Sequence, residues 1–187
     1  MTSGTRSGHT APGREPRARG FDGPMAGNAQ HGPRSLVALA AFLALAYAAA
    51  GIGTLVQGGD VGATYLELDR PPWAPPSWLF GPVWSLLYAL IGVAGWWVWR
   101  HGPSARMRLA LGLWAVQLLV NAAWPGVFFG LGELGWALAV IIALDVLVVA
   151  TVAAVWRVRP AAAALLLPYL AWILFATALN AVILLRS

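Results

Sequence analysis

Aromatic and amide side chains recur at helical spacing in three separate stretches of the sequence. The three sets are Trp84 and Tyr88; Trp114, Gln117, Asn121 and Trp124; and Tyr169, Trp172, Ala176 and Asn180. Residues three or four positions apart share one face of a helix, so each stretch presents one such stripe. Indole faces with a few amides are typical of a pocket for a small apolar ligand. The same residues could equally serve interhelical packing and hydrogen bonding.

Groups for classical catalysis or metal binding are scarce. The sequence has no cysteine, and its histidines, His9, His31 and His101, fall in the amino-terminal tail or in a loop. Asp145 is the single ionisable residue deep inside an apolar segment, so a proton relay would have no second member. It lies about half a turn out of phase with Trp136, and we expect it to face away from the surface that Trp136 marks. We predict no metal site, no obligatory cofactor and no classical catalytic constellation.

Five long apolar segments must position the stripes. Hydrophobic residues make up 59% of the 187 residues and charged residues only 10%, whereas soluble domains carry about a quarter charged residues. The segments span about residues 35–56, 79–99, 109–130, 134–156 and 161–185. At ~1.5 Å rise per residue, each is long enough to cross the ~30 Å hydrocarbon core as a helix. The fold class predicted is therefore an all-α integral membrane protein, a five-helix bundle over residues 35–187 embedded in the lipid bilayer.

The distribution of arginine predicts the orientation of the bundle. All 12 basic residues are arginine; ten lie in the tail and in loops 100–108 and 157–160, and only Arg70 and Arg186 lie at the other end. The positive-inside rule therefore predicts a cytoplasmic amino terminus and an external carboxyl terminus, in a membrane that we expect to be bacterial. The net charge of +5 is explained by these flanking arginines, so we predict no nucleic-acid partner. Residues 1–34 are rich in Gly, Arg and Pro and are expected to be a disordered tail.

The longest connection, residues 57–78, separates the first two spans. It ends in a run of four prolines and two tryptophans that is stiff and non-helical, because proline fixes φ and removes a hydrogen-bond donor. We interpret this run as a lid over the outer mouth of the bundle, formed by Trp73, Pro75, Pro76 and Trp78.

Small residues recur at four-residue spacing in three of the spans. The pairs are Ala49 and Gly53, Gly126 and Gly130, and Ala139 and Ala143. Such pairs permit close helix contact, either inside the bundle or at the seam of a homodimer.

Four motifs, in order along the chain, resemble those of the TspO/MBR family, also called the translocator protein, tryptophan-rich sensory protein or peripheral benzodiazepine receptor family. They are PPWAPPSW leading into GPVW (residues 71–84), NAAWP with FFG (residues 121–130), GWALA (residues 135–139), and PYLAW with FATALN (residues 168–180). The resemblance covers about residues 36–186. It implies a five-helix bundle, often dimeric, that binds porphyrins, sterols and isoquinoline or benzodiazepine-type ligands.

The resemblance also implies which residues face the ligand. With Tyr88 added from its stripe, the predicted ligand-binding residues are Trp84, Tyr88, Asn121, Trp124, Trp136, Trp172, Ala176 and Leu179. The function implied is a membrane receptor or sensor that binds a porphyrin or haem-like tetrapyrrole and regulates tetrapyrrole levels under stress. One alternative is an enzyme that degrades protoporphyrin with light and oxygen, through Trp84 and Trp172. Another is a tetrapyrrole or sterol transporter, although Leu179 to Arg186 lack the tyrosine of the family's sterol-recognition pattern.

Overall fold

The computed structural model describes residues 1–2, 32–59 and 61–187. Most of the predicted disordered tail therefore lies outside the described residues, and its disorder stays a prediction. Asp60, in the connection after the first span, also lies outside them.

The described residues form six α-helices. They are α1 (Pro33–Gln57), α2 (Val61–Glu67), α3 (Phe80–Trp99), α4 (Ala105–Pro125), α5 (Leu134–Trp156) and α6 (Pro160–Arg186). A short 3₁₀ turn, Ser77–Leu79, leads into α3, and α4 continues as a π-helical turn over Gly126–Gly130. Five of these helices, all but α2, are long and apolar enough to cross a membrane. The predicted fold class, a five-helix membrane bundle, is confirmed.

Local sequence signals explain where several helices begin and change. Pro33 and Pro160 occupy first-turn positions, where the missing N–H costs no hydrogen bond. Ser104 begins α4 by accepting a hydrogen bond at its side chain from the Met107 N–H, at 3.1 Å. Pro125 has no N–H to donate. Directly after it the backbone hydrogen bonds span five residues instead of four, so that the Leu131 N–H donates to the Gly126 carbonyl at 2.9 Å.

The membrane-spanning helices form a closed ring in the order α1, α3, α6, α5, α4. The first two spans are neighbours, but the second span, α3, also contacts the last, α6, and α4 lies between α1 and α5. Side chains of Trp114, Tyr169 and Ile173 are buried at the centre of this ring. The faces of α3, α4 and α6 that carry the aromatic and amide stripes therefore point toward each other.

Two of the small-residue pairs pack inside the bundle. A Cβ at Gly130 would lie 2.7 Å from the Val56 carbonyl oxygen of α1, and one at Gly126 would lie 3.0 Å from the Val56 side chain. Gly53 of α1 contacts Ala122 of α4 in return. These glycines serve the α1–α4 contact within one chain. The third pair, Ala139 and Ala143, is exposed on the outer face of α5.

Gly92 provides a sharp test of the α1–α3 contact. A Cβ there would lie 2.9 Å from Cδ2 and 3.0 Å from Cα of Leu43, so a larger residue requires the backbone of α1 to move. We expect Gly92→Ala to lower stability by about 1–3 kcal/mol, which is the usual cost of overpacking.

The measurement is thermal unfolding of the purified protein in detergent. Gly112→Ala is the matched control, since a Cβ there meets nothing within 4 Å and alanine favours a helix. Equal midpoints for the two variants would contradict the close approach of α1 and α3.

Candidate functional site

A cavity of about 440 Å³ lies between α1, α3, α4 and α6. It is at the end of the bundle where the connection from α1 to α3, which contains α2, crosses. Of the eight residues predicted to face a ligand, six line this cavity: Trp84, Tyr88, Asn121, Trp124, Trp172 and Ala176. They come from α3 and α6, which are neighbours in the ring, and from α4, which lies across the ring from them. The stripes seen in the sequence therefore converge on one cavity.

Aromatic rings form the walls of the cavity. Trp84 stacks on Tyr88, with ring centroids 5.4 Å apart and planes inclined by 29°. Phe80, at the start of α3, meets the edge of Trp172 at 5.9 Å. On α4, Trp124 contacts Phe129 of the π-helical turn at 6.1 Å. Such rings offer rigid apolar faces at low cost in conformational entropy.

A buried network of hydrogen bonds forms the polar floor. The Tyr88 hydroxyl donates to Oδ1 of Asn121, and Nδ2 of Asn121 donates to the Tyr169 hydroxyl at 3.1 Å. The Tyr169 hydroxyl in turn donates to Oε1 of Gln117 at 2.8 Å. Tyr88 and Asn121 reach the cavity, whereas Tyr169 and Gln117 lie behind them and are almost fully buried. An amide inside a bilayer needs such partners, and this network joins α3, α4 and α6.

Two of the predicted ligand-binding residues lie elsewhere. Trp136 is 70% exposed on the outer surface of α5 and does not line the cavity, contrary to the prediction that it faces the ligand. Leu179 is buried in an apolar cluster with Tyr65, Phe128 and Ile183, and it does not itself line the cavity.

The opposite phases of Trp136 and Asp145 explain why Trp136 faces outward. The two residues do lie on opposite sides of α5, as their spacing predicts, but Asp145 takes the inward side. Its Oδ2 accepts a hydrogen bond from the Thr177 hydroxyl of α6 at 2.8 Å, and its Oδ1 is buried without a partner among the described residues. A carboxyl group gains more from a partner inside the bundle than an indole does, since the indole is readily accommodated by lipid.

The connection over the cavity differs in detail from the predicted lid. Its cavity-facing part is the seven-residue helix α2, with Val61, Gly62 and Tyr65, followed by Ser77. The four residues predicted to form the lid, Trp73, Pro75, Pro76 and Trp78, do not line the cavity, and Trp73 is 50% and Trp78 70% exposed.

Tyr65 joins α2 to the proline-rich run of this connection. Its hydroxyl donates to the Pro75 carbonyl at 3.0 Å, and the Arg70 guanidinium lies 4.7 Å from the centre of its ring. Burial raises the pKa of Tyr65, and the neighbouring Arg70 partly offsets that rise. The hydroxyl therefore stays protonated and able to donate near neutral pH. Sequence analysis missed Tyr65, because a single tyrosine in a seven-residue segment carries no periodic signal.

Residues 40–186 match the model of the TspO/MBR family, so the match spans all five membrane-crossing helices and the whole cavity. The chain belongs to the TspO/MBR family. It is 40% identical over 131 residues to the translocator protein of Homo sapiens, covering 69% of this chain and 78% of that protein. It is 39% identical over 145 residues to the tryptophan-rich protein TspO of Archaeoglobus fulgidus, covering 78% of this chain and 91% of the relative.

A third relative is the tryptophan-rich sensory protein of Cereibacter sphaeroides, which is 37% identical over 139 residues, or 74% of this chain and 84% of that protein. TspO/MBR membership and the five spanning helices make this chain an integral membrane protein. The names of its relatives support a TspO-type membrane sensor or receptor.

Proposed function

We propose that this TspO/MBR protein is a receptor for porphyrins and similar flat hydrophobic ligands, bound in the cavity lined by Trp84, Trp124 and Trp172, and that it regulates tetrapyrrole levels under stress. The observation that carries the proposal is the convergence of indoles from three helices on one cavity. Its volume of about 440 Å³ falls within the range of roughly 300–1,000 Å³ that is usual for small-molecule sites.

The shape of the cavity supports a flat ligand. Trp84 and Tyr88 stack on each other with their planes inclined by 29°, and both line the cavity, so a macrocycle can stack on a ring face that the pair leaves free. Most of the lining is aromatic or aliphatic, and its polar side chains besides Tyr88 and Asn121 include Thr54, Gln57, Ser77 and Ser85. A ring with an apolar body and a few polar substituents matches this distribution.

Two unpaired donors support a ligand with peripheral oxygens. The indole N–H groups of Trp124 and Trp172 are buried and have no acceptor among the described residues. Buried donors without partners are rare in native proteins. Both residues line the cavity, so carbonyl or carboxylate groups of a bound ligand could supply the acceptors once an indole turns its N–H toward the cavity.

The test is a titration of the full-length protein in detergent with protoporphyrin, followed by quenching of tryptophan fluorescence, with haem and a sterol titrated in parallel. For the double variant Trp84→Phe with Trp172→Phe, we expect the dissociation constant for protoporphyrin to rise about tenfold, because aromatic pairs contribute ~0.5–1.5 kcal/mol each beyond the area they bury.

Trp136→Phe is the matched control and should retain wild-type affinity, since Trp136 faces away from the cavity. An unchanged affinity in the double variant would refute the assignment of the cavity. A sterol that binds more tightly than both tetrapyrroles would refute the ligand class while leaving the cavity in place.

A further inference from the structure

A second cavity, of about 350 Å³, lies at the opposite end of the bundle from the first. The start of α1, the end of α3 and the start of α4 enclose it, and its lining includes Arg34, Ser35, Trp99, Arg100, Pro103 and Met107. This end carries most of the arginines that flank the membrane-spanning segments. The first cavity, lined by Trp84, Trp124 and Trp172, shares none of these residues, so the two cavities are independent.

The second cavity is built by specific contacts and is more than a gap between loops. Nε1 of Trp96 donates to the Ser35 carbonyl at 2.9 Å, which ties the start of α1 to the end of α3. The Arg100 guanidinium lies 4.8 Å from the centre of the Trp96 ring, so the same tryptophan also holds one of the two cations in place. The Ser104 cap fixes the start of α4, which brings Met107 to the cavity.

The charge of the cavity favours an anion. Arg34 and Arg100 both line it, and no described lining residue is acidic. Guanidinium groups pair well with phosphate because their N–H donors match its oxygens in pairs.

The position of the cavity favours a lipid over a free anion. It lies at the ends of three apolar spans, where the headgroups of a surrounding bilayer are expected, and Trp99, Pro103 and Met107 add apolar wall beside the arginines. Trp99 is 41% exposed, as is usual for an indole at the membrane interface. Basic pockets between membrane helices on the arginine-rich side are known to bind anionic headgroups.

We propose that the cavity formed by Arg34, Trp99 and Arg100 is a binding site for the phosphate headgroup of an anionic phospholipid. The two guanidiniums hold the phosphate, and the acyl chains leave the cavity along the apolar surface that begins at Trp99 and Met107. A site of this kind ties the arginine-rich end of α1, α3 and α4 to the composition of the surrounding leaflet.

The experiment measures the retention of phosphatidylglycerol and phosphatidylcholine with identical acyl chains on the full-length protein in detergent, by native mass spectrometry. Wild-type protein should prefer phosphatidylglycerol. In the double variant Arg34→Gln with Arg100→Gln we expect this preference to fall about tenfold or more, because each basic residue near an anionic lipid surface contributes on the order of a few-fold in affinity.

Arg106→Gln with Arg108→Gln is the matched control. It removes the same charge from the same end of the bundle but from residues that do not line the cavity, so it should keep the wild-type preference. Arg34→Gln alone keeps the Arg100–Trp96 contact and should show an intermediate loss, which separates lipid binding from a failure to fold. Equal loss in both double variants, equal retention of both lipids by wild-type protein, or full displacement by soluble glycerol phosphate would each overturn the proposal.

Discussion

Replacing Asn121 with leucine is expected to cost about 2 kcal/mol of stability and to impair ligand binding as well. Asn121 is the hub of the polar floor: it accepts from the Tyr88 hydroxyl and donates to the Tyr169 hydroxyl, and so joins α4 to both α3 and α6. Leucine has the same number and branching of side-chain heavy atoms but offers neither group. The Tyr88 hydroxyl then loses its acceptor in a buried position, and an unsatisfied buried polar group costs about 1–3 kcal/mol.

The measurement is thermal or denaturant unfolding in detergent, combined with a double-mutant cycle. Adding Tyr88→Phe to Asn121→Leu removes the orphaned hydroxyl and should restore part of the stability. Thr151→Val is a matched control, because the buried Thr151 hydroxyl donates only within its own helix, to the Leu147 carbonyl. If Asn121→Leu is no more harmful than Thr151→Val, the network does not hold the three helices together.

Filling the ligand cavity should abolish binding while leaving the bundle folded. Ala176 lines the cavity on α6, on the same face as Trp172 and one helical turn beyond it. In Ala176→Trp, the indole would occupy space that the ligand requires. We expect the affinity for protoporphyrin to fall by about a hundredfold, equivalent to ~2.7 kcal/mol. Titration by tryptophan quenching measures the effect, and an unfolding midpoint close to wild type shows that the bundle persists.

Ala139→Trp controls for the added indole itself. Ala139 is exposed on the outer face of α5, where a tryptophan would project away from the ring of helices. It should leave both affinity and stability unchanged. Tight protoporphyrin binding by Ala176→Trp would mean that the ligand binds elsewhere on the protein.

Much of the cavity lining can be predicted from the spacing of residues, because the 3.6-residue period and the length of an apolar segment identify a membrane helix and the residues that share one face of it. Trp84, Asn121 and Trp172 belong to stripes that a 3.6-residue period alone brings onto one face, and the structure places all three at one cavity. The five spans follow from length and apolarity, which the bilayer imposes on any crossing helix.

Period does not say which face of a helix points inward. Trp136 and Asp145 lie on opposite faces of α5, but only the neighbouring Thr177 of α6 decides which of the two turns inside. Tryptophan suits both a cavity wall and a lipid surface, so its chemistry does not resolve the choice.

The periodic pattern of the sequence also does not predict which helices are neighbours or where a short helix forms in a loop. The contact between α3 and α6 joins segments far apart in the chain, and no local signal encodes it. The helix α2 and its Tyr65 are held by tertiary contacts, with Phe80 at 5.0 Å and with the Pro75 carbonyl, which a seven-residue segment does not reveal in isolation.

The ring order has a consequence for synthesis in the membrane. The last helix, α6, closes the ring between α3 and α5. During synthesis the chain therefore has four spans in the lipid before the ring can close. Until then Gln117 and Asn121 lack Tyr169, the partner to which both are bonded in the finished protein. A chain that is stopped short of α6 thus leaves Nδ2 of Asn121 and Oε1 of Gln117 without their partner inside the membrane, a feature by which quality control could tell an unfinished copy from a complete one.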